Sequence, residues 1–360
     1  MKATQELHDL GQSLWLDNIT RGLLDDGTIE GYITTHSVTG LTSNPSIFDS
    51  AIKTGAYDQE IMSATNRGLS NEEVFFNLAI ADLQRAADLF KPVHERTDGV
   101  DGWVSLEVSP LLAYDTHQTV DAATAISKRA NRSNLFIKIP GTPEGLPAIE
   151  ESIASGIPVN VTLLFDADQY LAAADAYLRG VERRVKAGLN PAVGCVASLF
   201  ISRWDTAVAN SVPDELKNQL GLAVGFETYR AYRQLMASDR FQRLRNEGAR
   251  AQRLLWASTK TKDPDASDTL YVEGLASPFT INTMPDSTLE ALFDHGTIAG
   301  VLSPDGGDFE AQLSAFAKAG VDKQGLALKL QEEGAASFTN SWNELLARID
   351  VQLSLAQGQA

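Results

Sequence analysis

The chain has 360 residues, is 43% hydrophobic and 21% charged, and carries a net charge of −17. That balance fills a substantial globular core, and the acidity excludes nucleic acid and anionic membrane surfaces as partners, because both require a basic patch. A phosphorylated substrate is not excluded, since two or three local cations hold a phosphate in an acidic protein.

In chain order, short runs rich in β-branched and aromatic residues alternate with amphipathic stretches. The first two predicted strands are Leu14–Asp17 and Gly40–Asn44. Ser70-Asn71-Glu72-Glu73 is a capping box, opening a helix whose apolar face is Phe75, Ala79, Leu83, Ala86 and Phe90. Trp103–Val108 and Asn134–Pro140 follow as strands three and four. Thr142-Pro143 sets a cap residue before a proline at the first helical position, and Gly156 ends that helix. Strand five is Pro158–Phe165, after which Asp166 caps a helix running to about Lys186, with Gly188 as its terminator. Strand six is Ala192–Phe200, strand seven Arg253–Ser258 and strand eight Thr269–Gly274. Ser287-Thr288-Leu289-Glu290 reads as a second capping box.

Eight strands alternating with helices point to an α/β fold, a (β/α)8 TIM barrel, though a doubly wound sheet shares the pattern. No repeat, low-complexity tract or linker breaks the chain. The expected organisation is one domain over residues 1–360, with a helical insertion at about 205–250 and a helical C-terminal tail at about 308–360.

The chemistry centres on strand four, Leu135-Phe136-Ile137-Lys138-Ile139-Pro140. Alternation puts Phe136, Lys138 and Pro140 on one face and Leu135, Ile137 and Ile139 on the other. If the second face packs on helices, Lys138 points into the barrel. An ammonium there loses hydration, which favours the neutral amine that attacks a ketone carbonyl. A structural ion pair is the other reading of the same lysine. Neighbouring strands carry Asp17, Thr42-Ser43-Asn44-Pro45-Ser46, Glu107 and Asn160-Val161-Thr162-Leu163-Leu164-Phe165, each placing a carboxylate, amide or hydroxyl in or at the end of an apolar strand. In a barrel those ends converge on the active-site face.

Taken in this order and spacing, these motifs resemble the transaldolase family. Leu14-Trp15-Leu16-Asp17, Leu255-Trp256-Ala257-Ser258-Thr259 and Asn282-Thr283-Met284-Pro285 are similar to its longer bacterial and plant-type subfamily. The resemblance spans roughly Gly11 to His295. It implies a metal-independent enzyme without cofactor that moves a dihydroxyacetone unit between sedoheptulose 7-phosphate and glyceraldehyde 3-phosphate, giving erythrose 4-phosphate and fructose 6-phosphate, in the pentose phosphate pathway. Lys138 would form the imine and Asp17 would exchange the C4 hydroxyl proton. Glu107 would act through a water that Thr162 helps to hold. Asn44, Asn160 and Ser198 would contact the dihydroxyacetone unit, and Arg203 the phosphate. The better-studied subfamily carries an arginine shortly after the Ala-Ser of strand seven. Here the run is Ala257-Ser258-Thr259-Lys260-Thr261-Lys262, so Ser258 and either Lys260 or Lys262 are the expected ligands there. A lysine meets phosphate as a point charge rather than a fork.

Two rival functions are a fructose-6-phosphate aldolase, which releases free dihydroxyacetone, and a non-catalytic sugar-phosphate-binding barrel. The Glu107 motif favours transfer over the first. The presence of every expected catalytic residue type opposes the second. The remaining signals are bland. Gly141-Thr142-Pro143-Glu144-Gly145 lacks the Gly-Lys-Ser/Thr ending of a nucleotide loop. The five histidines show no metal-motif pairing, so no metal is expected. The lone cysteine, Cys195, lies in an apolar strand and reads as a buried inert thiol. A single cysteine, no apolar N-terminal segment and no run near the ~20 residues of a membrane helix together make the expected location cytoplasmic. Monomer and homodimer both stay open.

Overall fold

In the computed structural model, which describes residues 1–65 and 68–358, eight parallel strands close into a barrel in sequential order. They are β1 (Ser13–Asp17), β2 (Val38–Thr42), β3 (Val104–Glu107), β4 (Leu135–Pro140), β5 (Val159–Leu164), β6 (Cys195–Phe200), β7 (Gln252–Ala257) and β8 (Ile281–Met284). Closure comes from β8, which pairs with β7 through Leu255↔Ile281 and with β1 through Ser13↔Ile281. Helices lie between the strands, so the expected (β/α)8 TIM barrel is the fold and the doubly wound alternative is set aside.

Alternation explains which side chains meet. Leu16, Leu41, Leu106, Ile137, Ile139, Val159, Val161, Ala197 and Leu254 belong to the apolar layer between strands and helices. Trp15, Phe136, Val196, Leu255 and Ile281 belong to a second cluster inside the barrel. Side chains two residues further along those inner rows, Asp17, Lys138, Ser198, Ala257 and Thr283, line a cavity at the C-terminal strand ends. Trp15 fits inside only because Gly40 faces it. A Cβ at residue 40 would stand 2.7 Å from the Trp15 indole and from the Trp103 carbonyl.

Two expectations fail. Thr269–Gly274 is not a strand: Leu270–Gly274 is a short helix, and the eighth strand is Ile281–Met284. The Leu-Tyr-Val run has strand-like composition, whereas Ile281-Asn282-Thr283-Met284 contains two polar residues. Pairing with strands at both edges outweighs that local preference. Nor is Ser287 a helix cap. The helix Asp286–His295 begins one residue earlier, after Pro285. The capping box at Ser70 does form, with Glu73 N–H donating to Ser70 Oγ and Ser70 N–H donating to Glu73, at the start of helix Asn71–Arg96. Asp166 accepts from the Gln169 N–H and caps Ala167–Lys186. Thr142 caps the turn before helix Gly145–Ala154 by accepting from the Gly145 N–H at 3.0 Å, so that helix starts later than the Thr-Pro pair suggested.

Between β6 and β7 lie helices Ser202–Val208, Leu220–Ala237 and Asp239–Asn246. After β8 come Phe309–Lys318 and the long helix Lys323–Gly358. The last helix crosses the C-terminal ends of the strands. Gln331, buried, donates to the carbonyls of Gly141 and Leu163 at 3.1 and 2.9 Å. Further along, Trp342 packs edge-on against Phe75 at 4.9 Å, and Arg348 pairs with Asp49 at 2.6 Å. Leu163 is itself unusual. It holds φ +60° at a register shift in β5, rare for a branched side chain, and turns inward beside Phe165. Among the described residues, no helix is long and apolar enough to cross a membrane.

Candidate active site

The cavity at the C-terminal strand ends has a volume of about 360 Å3. Asp17, Asn44, Lys138, Thr162, Ser198, Arg203, Ser258, Lys260 and Lys262 all line it. Two expected residues do not. Glu107 and Asn160 sit behind the wall, each beside a lining residue.

Lys138 is 5% exposed. Its Nζ lies 3.4 Å from a Glu107 carboxylate oxygen and donates to the Ser43 carbonyl at 3.3 Å. At 3.4 Å the ion pair is a Coulombic contact rather than a short charge-assisted hydrogen bond. Among the described residues, neither Glu107 oxygen has a polar partner apart from Lys138, and buried Thr162 Oγ1 has none. Burial pushes the Glu107 carboxyl above the usual glutamate range. Lys138 draws it back part of the way, and Asp17 pushes it further up.

Asp17 is held from the side. Thr42 Oγ1 donates to it at 2.8 Å and lies 2.7 Å from Thr283 Oγ1. A hydroxyl has one proton, so with Thr42 donating to Asp17, Thr283 must donate to Thr42. Burial again raises the Asp17 carboxyl. Lys138 and the Thr42 hydrogen bond lower it, and Asp286 raises it. Burial thus holds both carboxyls above the usual carboxylate range, and the one lysine whose charge reaches both lowers both.

The amides divide. Asn44 is the N-cap of helix Pro45–Ile52, accepting from the Ile47 N–H at 3.1 Å and from Ser46 Oγ at 2.6 Å. Its oxygen is committed, and its NH2 group is the part available to a ligand. Asn160 is wholly buried, donating to Ser105 Oγ at 3.1 Å and accepting from Ser198 Oγ at 2.7 Å. It orients Ser198, which does line the cavity.

Three cations gather after β6 and β7. Arg203 stacks over Phe200 and Phe338, its guanidinium carbon 5.1 and 6.0 Å from their centroids. Among the described residues, Arg203, Lys260 and Lys262 form no ion pair. Burial lowers the Lys262 ammonium below the usual lysine range, and repulsion from Lys260 and Arg203 lowers it further. Like charges crowded together with no ion-pair partner among the described residues, and only the more distant charge of Glu333 acting on Arg203, suit a bound anion. Ser258 turns the chain here at φ +54°, its Oγ 2.9 Å from Ser202 Oγ.

Sequence reasoning expected a helical C-terminal tail but gave it no part in the site, whereas its long helix brings Ser337, Phe338 and Ser341 to the cavity, with Phe338 5.5 Å from Lys138 Nζ. It also missed the Thr42–Thr283 relay. Thr283 lay in a quoted motif without a role, and nothing in the tail's composition marked it. Cys195 is buried, its thiol pushed up to about 12 by burial.

The family described as "Transaldolase/Fructose-6-phosphate aldolase" matches residues 14–349. A "Transaldolase" from Thermobifida fusca (strain YX) is 44% identical over 97% of this chain and 98% of its own length. One from Thiobacillus denitrificans is 44% identical over 97% of this chain and all of its own length. One from Mycobacterium tuberculosis is 42% identical over 96% of each. The chain belongs to the transaldolase family. It is an enzyme of that family, and transaldolase membership implies sugar-phosphate substrates, consistent with three uncompensated cations beside a buried lysine.

Proposed function

We propose that this enzyme transfers a dihydroxyacetone unit through a Schiff base on Lys138, between sedoheptulose 7-phosphate and glyceraldehyde 3-phosphate, giving erythrose 4-phosphate and fructose 6-phosphate. The observation that carries this reading is one buried lysine 3.4 Å from the buried Glu107 carboxylate, in a cavity that Asp17, Arg203, Lys260 and Lys262 also line.

The Lys138 amine adds to the C2 carbonyl of the donor ketose, and loss of water leaves a protonated imine. Asp17 takes the C4 hydroxyl proton as the C3–C4 bond breaks. The electron pair moves into the iminium, and the aldose phosphate leaves. The acceptor aldehyde then reverses these steps, with Asp17 returning the proton. Glu107 and Thr162, with oxygens free of hydrogen-bond partners, hold the water that enters and leaves during imine formation and hydrolysis. Asn44 and Ser198 hold the dihydroxyacetone hydroxyls, and Asn160 acts through Ser198. Arg203 and Lys262 bind the phosphate with Lys260 beside them, since all three line the cavity and Lys262 feels both other charges.

Borohydride reduction in the presence of fructose 6-phosphate tests this directly. A dihydroxyacetone-derived mass on the peptide containing Lys138 is expected. An adduct on Lys260, or none, refutes the assignment. Free dihydroxyacetone released at the rate of aldehyde formation without an acceptor would instead make the enzyme an aldolase.

Asp17 also yields a pH prediction. As the base for cleavage it must be ionised, so kcat/KM falls on the acid side through its ionisation, above the ordinary 3.8. The Thr42 hydrogen bond lowers that pKa. Thr42→Val removes it, so the acid limb is expected to move to higher pH. A limb that stays or moves down would count against Asp17 as the base.

A further inference from the structure

A second, wide cleft lies at the opposite end of the barrel from Lys138. It has a volume of about 890 Å3 and lies where the strands begin, against Ser13, Trp103, Phe136 and Cys195. Barrel enzymes keep their chemistry at the other face, so this cleft is not part of the transfer reaction.

Its lining is out of character for a chain of net charge −17. Arg233, Arg245, Arg250 and Arg253 face it, with Asp98 the carboxylate among them. Arg253 is tied down, donating to Ser13 Oγ at 2.6 Å and to the Thr280 carbonyl at 2.8 Å. Among the described residues, Arg250 has only a loose 3.7 Å pairing with the fully exposed Asp98. Arg233 donates to the neutral Tyr229 hydroxyl at 2.9 Å. The two guanidiniums Arg233 and Arg250 thus keep most of their donors free. Beside Arg233 stands Phe279, 61% exposed, with the guanidinium carbon 5.2 Å from its ring centroid. Phe279 holds φ +65°, where a bulky side chain rarely sits. Its backbone is pinned there, the N–H donating to the Gly11 carbonyl at 2.9 Å and the carbonyl accepting from the Tyr232 hydroxyl at 2.9 Å.

An exposed ring held in a strained conformation next to a guanidinium forms a flat stacking platform. Free arginines across the cleft supply the forks that match phosphate. We infer that this cleft is a second binding site, for a nucleoside phosphate, with the base stacked on Phe279 and the phosphates on Arg233, Arg245 and Arg250. The volume falls within the ~300–1,000 Å3 of small-molecule sites.

Calorimetric titration of the full chain with ADP tests the inference. One-to-one binding is expected, undisturbed by saturating fructose 6-phosphate, with inorganic phosphate alone and adenosine alone much weaker than ADP. Phe279→Gly removes the platform while supplying the residue that best tolerates its φ, so the fold is expected to be at least as stable. Its affinity for ADP should fall about tenfold or more, as should that of the Arg233→Ala/Arg245→Ala double variant. Transfer activity without ADP should match the wild type in both. No binding at millimolar ADP, displacement by fructose 6-phosphate, or unchanged affinity in both variants would overturn it. So would sedimentation data showing that this face joins two copies of the chain, with Phe279→Gly dissociating them.

Discussion

Replacing Lys138 by alanine is expected to lower turnover by on the order of 10⁴-fold or more, the scale seen when a covalent nucleophile is removed, while circular dichroism shows the barrel intact. The other lysines that line the cavity, Lys260 and Lys262, belong to the cation cluster after β7, so the proposed nucleophile has no substitute among them. The fold survives because the two carboxyls around Lys138 have another way to lose their charge. Burial has already raised both, and Lys138 lowers both. Without the ammonium they rise further and take up protons, which spares the barrel two uncompensated buried charges. The sign of the resulting pH dependence follows. A carboxyl whose folded pKa lies above its unfolded value stabilises the fold at low pH and loses that contribution as pH rises through the folded value. Lys138→Ala should therefore melt progressively below the wild type as pH rises from acid toward neutral. A variant with near-wild-type turnover would end the proposal. A melting difference that grows toward acid pH would refute the account of the carboxyls.

The second large effect is expected at Arg203. Arg203→Ala should raise the KM for fructose 6-phosphate about ten- to a hundredfold, the ~1.5–3 kcal/mol of a hydrogen bond to a charged group, with a smaller change in kcat. The phosphate is remote from the bond that breaks, so its contacts are made alike in ground and transition states. Arg203 leaves no carboxylate stranded when removed, because it has no ion-pair partner among the described residues; its contacts are the rings of Phe200 and Phe338 and the closely packed Gly334. Unphosphorylated fructose serves as the control, since its turnover should not distinguish the variant from the wild type. Lys262→Ala should act in the same direction and be non-additive with Arg203→Ala, because the two charges feel one another. An unchanged KM in Arg203→Ala would remove it from the phosphate site.

Most of the barrel was legible in the chain because each strand's outward row is a local apolar pattern against which one charge or amide stands out. Lys138 between Ile137 and Ile139 is the clearest case. Seven of the strands were placed within a few residues. The eighth was not, because Ile281–Met284 becomes a strand through its pairing with β1 and β7, which no local window contains.

By itself, then, the sequence determined the alternating architecture, the inward-facing row that carries Lys138, and the set of polar residues at the strand ends. Only the tertiary structure decided how those residues divide. It put Asn160 behind Ser198, committed the Asn44 oxygen to a helix cap, and linked Thr283 through Thr42 to Asp17. It also laid the C-terminal helix across the strand ends, bringing Phe338 to Lys138 and Arg203 from far along the chain. The physical reason is the same in each case. Periodicity reports which way a side chain points, but a hydrogen-bond partner or a covering ring depends on contacts between segments whose separation along the chain leaves no local mark.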